Sequence, residues 1–385
     1  MAKLPISTKT FEHIISEGMV YVDKTAFVWK LSQEGKYYFL SRPRRFGKSL
    51  LISTLKSFFE GHKDLFKGLF IANKEKEWKK HPIIFIDYSL IEYRKGVEIF
   101  EQSLLNYIAN TGQEYGIVLQ QKATIAEAFT ELIKRLHEQY GKVVILVDEY
   151  DKALADTLND KVKFKDNREV LRGLYGVMKG LDDYLRFVML TGVSRFAKVS
   201  VFSGMNNLKD ISLSEEFNEI VGFTQKELEH YFSDYLKQVQ EKFGTTSPTL
   251  KESIRKKYNG FSWDGKNKLY NPYSILNFLT DKAFRNYWFS SGTPNFLVNL
   301  IKEQQQLPEK LENIKVTDLE GNTTQIEKLP LLPILFQTGY LTIQQIEYDG
   351  FDERFLLNYP NEEVRESFIR YVVASFVGKN EFELQ

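Results

Sequence analysis

The chain of 385 residues contains no cysteine. That excludes disulfide frameworks and thiolate metal sites. Histidine is scarce: His13, His62, His81, His137 and His230 are scattered without ligand spacing, so isolated core or surface histidines are expected instead of a zinc site. Neither sign of charge dominates, since 52 Lys+Arg face 51 Asp+Glu and leave a net charge of +1. Such a chain has no global attraction to nucleic acid or anionic membranes, and any contact of that kind needs a local patch. No run of about 18 apolar residues occurs, so no membrane-spanning helix and no membrane partner are expected. The N-terminal MAKLPISTKTFEHII lacks the apolar core and cleavage site of a secretory signal, and a cytoplasmic protein is expected. Internal repeats and low-complexity tracts are absent. What the chain does have is aromatic residues, 14% of the total, which suits a well-packed globular protein. Its length allows roughly two or three domains around a large core.

One stretch organises the rest. Tyr37–Leu40 (YYFL) reads as a buried strand, and Leu50, Leu51, Leu55, Phe58 and Phe59 recur at helical spacing. Between them lies SRPRRFGKS. A strand, a short loop and a helix N-terminus in that order form a phosphate cradle, because backbone N–H groups point inward and the helix adds partial positive charge. Pro43, Arg44, Arg45, Phe46, Gly47, Lys48, Ser49 and Leu50 are the candidate cradle. Within it Lys48 would reach the β- and γ-phosphates and Ser49 a Mg²⁺ ion. The first glycine of the usual pattern is replaced by Arg42, which argues against φ > 0 there. A Gly-Lys-Ser/Thr tripeptide alone arises by chance in roughly one chain in five of this size. A second motif is therefore needed.

That motif is Val143–Val147, an uninterrupted β-branched and apolar run ending in Asp148-Glu149-Tyr150-Asp151. A strand of this kind is expected to be buried on both faces. Asp148 at its tip would hold Mg²⁺ through water, and Glu149 would polarise an attacking water beside the γ-phosphate. The run at 82–87 (PIIFID) reads as a buried strand between the two motifs, and points to P-loop ATPases that insert a strand there and use a glutamate base. No Asn-Lys-x-Asp segment of guanine recognition lies at a strand end. Thr191 and Ser194 follow a further strand at 186–191 and are candidate γ-phosphate sensors. Arg195 is a candidate catalytic cation, acting in its own subunit or across an interface. Arg42, Arg44 and Arg45 form a basic cluster that either binds phosphate or pairs with carboxylates. For Asp87, Asp151 and Glu215-Glu216 solvated or capping roles are expected.

Around these motifs strands alternate with helices from 37 to 223, the pattern of a parallel sheet covered on both faces. Helices are expected near 97–113, 125–140 and 167–184, with a last core strand at 219–223. Thr224-Gln225-Lys226-Glu227 reads as a capping box opening a helix. Three units result: an ATPase core (1–223), a helical lid (224–305), and a small winged-helix-like unit with a C-terminal helix (306–385). The segment around Tyr21–Thr25 is expected either to pack as an ordinary helix or to lie over a nucleotide base.

YVDKT at 21–25, RPRRFGKSLL at 42–51, VDEYDK at 147–152, TGVSRF at 191–196, YNPYSILNFL at 270–279 and FQTGYLT at 336–342 together resemble the bacterial AAA-ATPase-like family, in the family's order across nearly the whole chain. Arginine at position 42 is usual in that family. The resemblance implies an α/β P-loop NTPase core of the additional-strand, AAA-like type, with ATP and Mg²⁺ as cofactors and Lys48, Ser49, Asp148 and Glu149 as the matching nucleotide-site positions. Family members commonly continue into a PD-(D/E)XK nuclease-like domain. This sequence ends near where that domain would begin, so nuclease activity is not expected from it, and nucleic acid would be met through a missing or separate domain. Mg-dependent ATP hydrolysis that drives or gates a conformational change, in a monomer or homo-oligomer, is the leading expectation. A regulatory switch that binds ATP with little hydrolysis is the first alternative. A nucleic-acid-binding module of a defence or mobile-element system, motivated by the basic KESIRKK at 251–257, is the second.

Overall fold

The apolar run that begins at Val143 forms a strand in which every residue is buried, Val143–Asp148 (β3). It pairs on one side with Ile83–Asp87 (β2) and on the other with Leu185–Gly192 (β4), both parallel. β4 in turn pairs with Tyr37–Ser41 (β1), and β1 with a short strand at Lys209–Asp210 (β5). The five-stranded parallel sheet has the order β2-β3-β4-β1-β5. The computed structural model describes residues 1–120, 124–195, 198–202, 205, 207–288, 297, 300–302, 311–321 and 330–377.

Parallel strands need crossovers, and helices supply them: Lys48–Phe59 after β1, Val97–Glu114 and Ile125–Tyr140 between β2 and β3, and Lys161–Gly176 before β4. The amphipathic helix Ile125–Tyr140 buries Phe129, Leu132, Ile133 and Leu136, and its Thr124 cap accepts from Glu127 N–H. Because all five strands run the same way, the loops after Ser41, Asp87, Asp148 and Gly192 leave from one edge.

Three expectations are corrected. The strand separating β1 from β3 in space is β4, at 185–192, whereas 83–87 lies at the edge of the sheet. The last core strand is β5 and not 219–223. Lys209 and Asp210 are polar and gave no apolar signal, while Ile220 and Val221 are buried in a loop beside Phe46, whose carbonyl accepts from Gly222 N–H at 3.1 Å. The helix expected at 167–184 begins six residues earlier, where Asp160 accepts from Lys163 N–H, and loses α-helical geometry after Gly176.

Beyond the sheet, helices Gln225–Tyr231, Ser233–Phe243, Ser247–Tyr258 and Pro272–Asp281 build a second apolar cluster that includes Leu228, Phe232, Ile254, Ile275 and Phe278. The capping box at Thr224–Glu227 is present. A hairpin of Asn259–Phe261 (β6) and Leu269–Tyr270 (β7) interrupts these helices. Next come Ile314–Val316 (β8), a helix at Leu331–Thr338, the antiparallel strands Thr342–Asp349 (β9) and Asp352–Asn358 (β10), and a helix at Glu362–Val377. Leu335, Leu341, Ile343 and Phe368 of this last unit belong to the same buried cluster as the sheet.

Glu363 ties the last helix to the others. Wholly buried, it accepts from Ser274 Oγ at 2.7 Å, Tyr287 N at 2.5 Å and Trp288 N at 2.9 Å. Burial pushes its carboxyl up to about 7 from 4.5, against the pull of these donors and of Lys257. Between those two pH values the folded chain keeps a proton that the unfolded chain releases, so stability falls as pH rises through the window. Urea unfolding at pH 4.5 and pH 8 is expected to show the wild type losing on the order of 2–3 kcal/mol more than Glu363→Gln over this interval.

Candidate nucleotide site

The edge from which the loops leave carries a cavity of about 490 Å³. Its floor is the loop after β1. Gly47 takes φ = 97°, a left-handed geometry that favours glycine, and the helix starts at Lys48. Among the described residues the backbone N–H groups of Arg44, Arg45, Phe46 and Gly47 meet no acceptor, and the first helical N–H groups have none within a helix by construction. Unpaired N–H groups beside a helix N-terminus can bind an anion.

Lys48 is 7% exposed. Its ammonium donates to the carbonyls of Arg42 and Pro43, both at 2.9 Å. Burial lowers its pKa most strongly, and attraction to Asp148, then Asp151 and Glu149, opposes the loss of charge. The positive group therefore faces the acidic end of β3.

Asp148 is buried, with Oδ1 accepting from Thr191 Oγ1 at 2.8 Å and from Glu149 N at 3.1 Å. Its Oδ2 is buried without a hydrogen-bond partner. An oriented carboxylate with one unpartnered oxygen has the chemistry to hold a hydrated Mg²⁺ ion, and Ser49, at the helix N-terminus on the cavity wall, could serve as a second ligand. Glu149 follows at φ = 56°, a left-handed conformation that a non-glycine residue adopts at a cost of about 1–2 kcal/mol. This turn brings Glu149 to the cavity wall, where Lys152 Nζ lies 3.1 Å from its carboxylate.

Arg44 through Leu50 and Glu149 all line the cavity. Pro43, Asp148, Thr191, Ser194 and Arg195 do not, Asp148 being buried one residue before Glu149. Thr191 is a support for Asp148. Ser194 donates to the buried Asp151 through Oγ at 2.5 Å and N–H at 2.7 Å, so Asp151 has neither a solvated nor a helix-capping role: it latches the loop after β4. Arg195 is also buried. Its Nη2 pairs with Asp210 at 2.8 Å and Glu320 at 2.7 Å, and its N–H donates to Gln337 Oε1 at 2.7 Å. These bonds commit Arg195 to the C-terminal unit and away from the cavity. Arg42 lies against Trp263, 4.0 Å from the ring centre, and donates to Ser212 O at 2.7 Å; burial lowers its pKa to about 9. It is a structural cation, and of the basic cluster only Arg44 and Arg45 reach the cavity, Arg45 over the Tyr273 ring at 3.7 Å.

The rest of the wall comes from residues that the two motifs did not single out. Pro5, Ile6, Lys9, Val20, Tyr21, Val22 and Lys24 form one side, and Val221–Phe223, Phe232, Tyr273 and Leu276 the other. The apolar members make a slot next to the cradle. YVDKT is built around Asp23, which accepts from Thr25 N, Thr25 Oγ1 and Phe70 N at 2.6–2.8 Å. Lys24 bridges to Glu227 of the capping box at 2.6 Å. The basic segment 251–257 is neutralised: Lys251, Arg255, Lys256 and Lys257 pair with Glu229, Glu252, Glu362 and Glu366. Among the described residues no helix is long and apolar enough to cross a membrane.

The order of strands and the loop-to-helix cradle define an α/β P-loop fold. Residues 5–202 match the AAA-ATPase-like family, described as predicted AAA-ATPases. The chain is also 38% identical over 367 residues to an uncharacterised protein from the 5′ region of vnfD in Azotobacter chroococcum mcd 1, covering 95% of this chain and 69% of that protein. The chain belongs to the AAA-ATPase-like family. Solved structures it resembles include ORC1 of Aeropyrum pernix in complex with DNA (TM-score 0.28, 9% identity, 92% of this chain and 90% of that one). Two others are ORC2 of A. pernix in ADPNP–ADP complexes (0.34, 11%, 91% and 94%) and CDC6P of Pyrobaculum aerophilum (0.34, 8%, 96% and 96%). The family assignment rests on the sequence matches alone.

Thr191→Val removes the hydroxyl that orients Asp148 while keeping the side-chain volume. A loss of about 1–3 kcal/mol in urea unfolding is expected, since a buried carboxylate oxygen loses a donor.

Proposed function

We propose that this chain binds ATP with Mg²⁺ in the cavity above the Gly47–Ser49 turn and hydrolyses it. The observation that carries the reading is the convergence of unpaired loop N–H groups, Lys48, Ser49 and Glu149 around one cavity with an apolar extension, next to the buried, unpartnered Oδ2 of Asp148. The loop N–H groups and Lys48 would hold the phosphates, and the slot between Val22, Phe223 and Leu276 would take the base. Ser49 and Asp148 would hold Mg²⁺, which supplies charge neutralisation on the phosphate oxygens when bound. Glu149, aimed inward by its left-handed backbone, would accept a proton from the attacking water.

The Glu149–Lys152 ion pair and the commitment of Arg195 to Asp210 and Glu320 favour slow turnover, and with it a second reading as an ATP-gated switch. Either way the signal has a route. The loop after β4 ends at Arg195, which grips Glu320 and Gln337 of the C-terminal unit. Gly339 of that unit packs on the cradle so closely that an added Cβ would lie 2.8 Å from the Pro43 ring. We read 1–223 as the ATPase core, 224–305 as a lid and 306–385 as a winged-helix-like output unit.

Phosphate release from Mg-ATP is expected from the purified protein and should be abolished in Lys48→Ala, which loses binding as well. Glu149→Gln should keep ATP affinity within about threefold while turnover falls about 10²–10⁴-fold. Equal rates in wild type and Lys48→Ala would overturn the ATPase reading, and ATP binding with no turnover in the wild type would favour the switch. Arg195→Ala is expected to bind ATP normally yet lose any ATP-dependent change in proteolytic protection beyond residue 310.

A further inference from the structure

Lys9 stands at the acidic end of the cavity, on the N-terminal segment that forms one wall. Its ammonium lies 3.2 Å from Asp87 Oδ2. Asp87 ends β2 and is the register partner of Asp148 at the end of β3, so the two carboxylates stand on adjacent strand tips with Glu149 next in the chain. Asp87 is itself fixed, since its other oxygen accepts from Ser89 N–H at 2.9 Å. Burial works against the charge on Lys9, but the attraction of Asp87, followed by Asp148 and Glu149, outweighs it and keeps the ammonium protonated.

The backbone on either side of Lys9 is held. Thr10 N–H donates to Thr8 Oγ1 at 3.3 Å, and Phe11 N–H donates to Ser53 Oγ at 2.9 Å on the helix that begins at Lys48. The segment is thus anchored to the same helix as the cradle, one turn beyond Ser49. The side chain, 61% exposed, keeps its freedom on a flexible stem. Other cations on the cavity wall are engaged: Lys152 with Glu149, Lys24 with Glu227, Arg45 with the Tyr273 ring. Arg44 is exposed on the loop.

We propose that Lys9 is the chain's own second cation for the terminal phosphate of a bound nucleoside triphosphate, held on Asp87 within reach of that group. The inference rests on the nucleotide-site reading above. A triphosphate carries its last negative charges at the end where Asp87, Asp148 and Glu149 already stand, and a positive group there offsets their repulsion. The same ammonium would meet the charge that gathers on the phosphoryl oxygens as the bond to the leaving diphosphate breaks. A diphosphate does not extend to it. Lys9 would therefore set both the preference for triphosphate and the rate.

The test is titration of the full chain, with Mg²⁺, by ADP and by a non-hydrolysable ATP analogue, alongside single-turnover and steady-state rates. The expected result for Lys9→Ala is an ADP affinity within about twofold of wild type, a triphosphate-over-diphosphate preference reduced about tenfold, and kcat lowered about 10–100-fold. Lys9→Arg should restore most of both. Asp87→Asn should not reduce the triphosphate preference, because it removes the restraint and not the cation. An unchanged preference and kcat in Lys9→Ala would overturn the inference while leaving the nucleotide site intact. Equal weakening of both nucleotides would overturn it too, showing that Lys9 only holds the segment in place. Should the wild type bind neither nucleotide, this inference and the reading beneath it fall together, and loss of binding confined to Lys48→Ala separates the two cases.

Discussion

The attraction between the buried Lys48 ammonium and the carboxylates at the end of β3 is the interaction on which the rest of the molecule depends. A lysine this deeply buried is costly unless its charge is met. Two loop carbonyls accept hydrogen bonds from it, and Asp148, Asp151 and Glu149 supply the field. Such an arrangement requires β1, β4 and β3 to lie side by side with their carboxyl ends level, which the parallel register delivers. A one-residue slip of β3 would turn Asp148 to the other face of the sheet.

Around this pair the protein places three buried polar knots, at Asp151, Arg195 and Arg42, which tie the loops at this edge of the sheet to one another and to the rest of the chain. Asp151 binds the loop after β4. Arg195 joins that loop to Glu320 and Gln337. Arg42 fastens the start of the cradle to Ser212 and, through its stacking on Trp263, to the hairpin of β6 and β7. Low local dielectric makes each of these costly to break and so specific in geometry. Asn271 continues the theme: its Oδ1 caps the lid helix by accepting from Tyr273 and Ser274 N–H, and its Nδ2 donates to Arg44 O at 3.4 Å.

The parts of the fold that were legible in the sequence are those with a one-dimensional signal. β1, β3 and β4 are apolar runs, the helix after Ser49 is periodic, and Thr224–Glu227 is a capping box. β5 was not legible, because Lys209 and Asp210 bury their backbone against β1 while their side chains remain polar. Which strand separates β1 from β3 was not legible either, since neighbours in the chain need not be neighbours in a sheet. The candidate site divides the same way. Arg44 to Leu50 and Glu149 reach the cavity wall as their motifs imply. Ser194, Arg195 and Asp151 carried motif-like positions but serve as packing, because their polar groups find partners within the fold. Lys9 had no local signal at all, being one lysine in a polar N-terminal stretch.

The sequence by itself determined the class of the protein. The order of an apolar strand, a Gly-Lys-Ser turn, a helix and a second apolar strand ending in Asp-Glu is a covalent property that no packing can alter. Only the tertiary structure decided which charges face the cavity. A side chain's role depends on what lies within a few ångströms of it, and that is set by strand order and by contacts between residues far apart in the chain, such as Arg195 with Glu320 at a separation of 125 and Glu363 with Ser274 at 89. Arg195 is thereby taken out of the cavity wall by its buried partners Asp210 and Glu320, and Lys9 is drawn to that wall by Asp87.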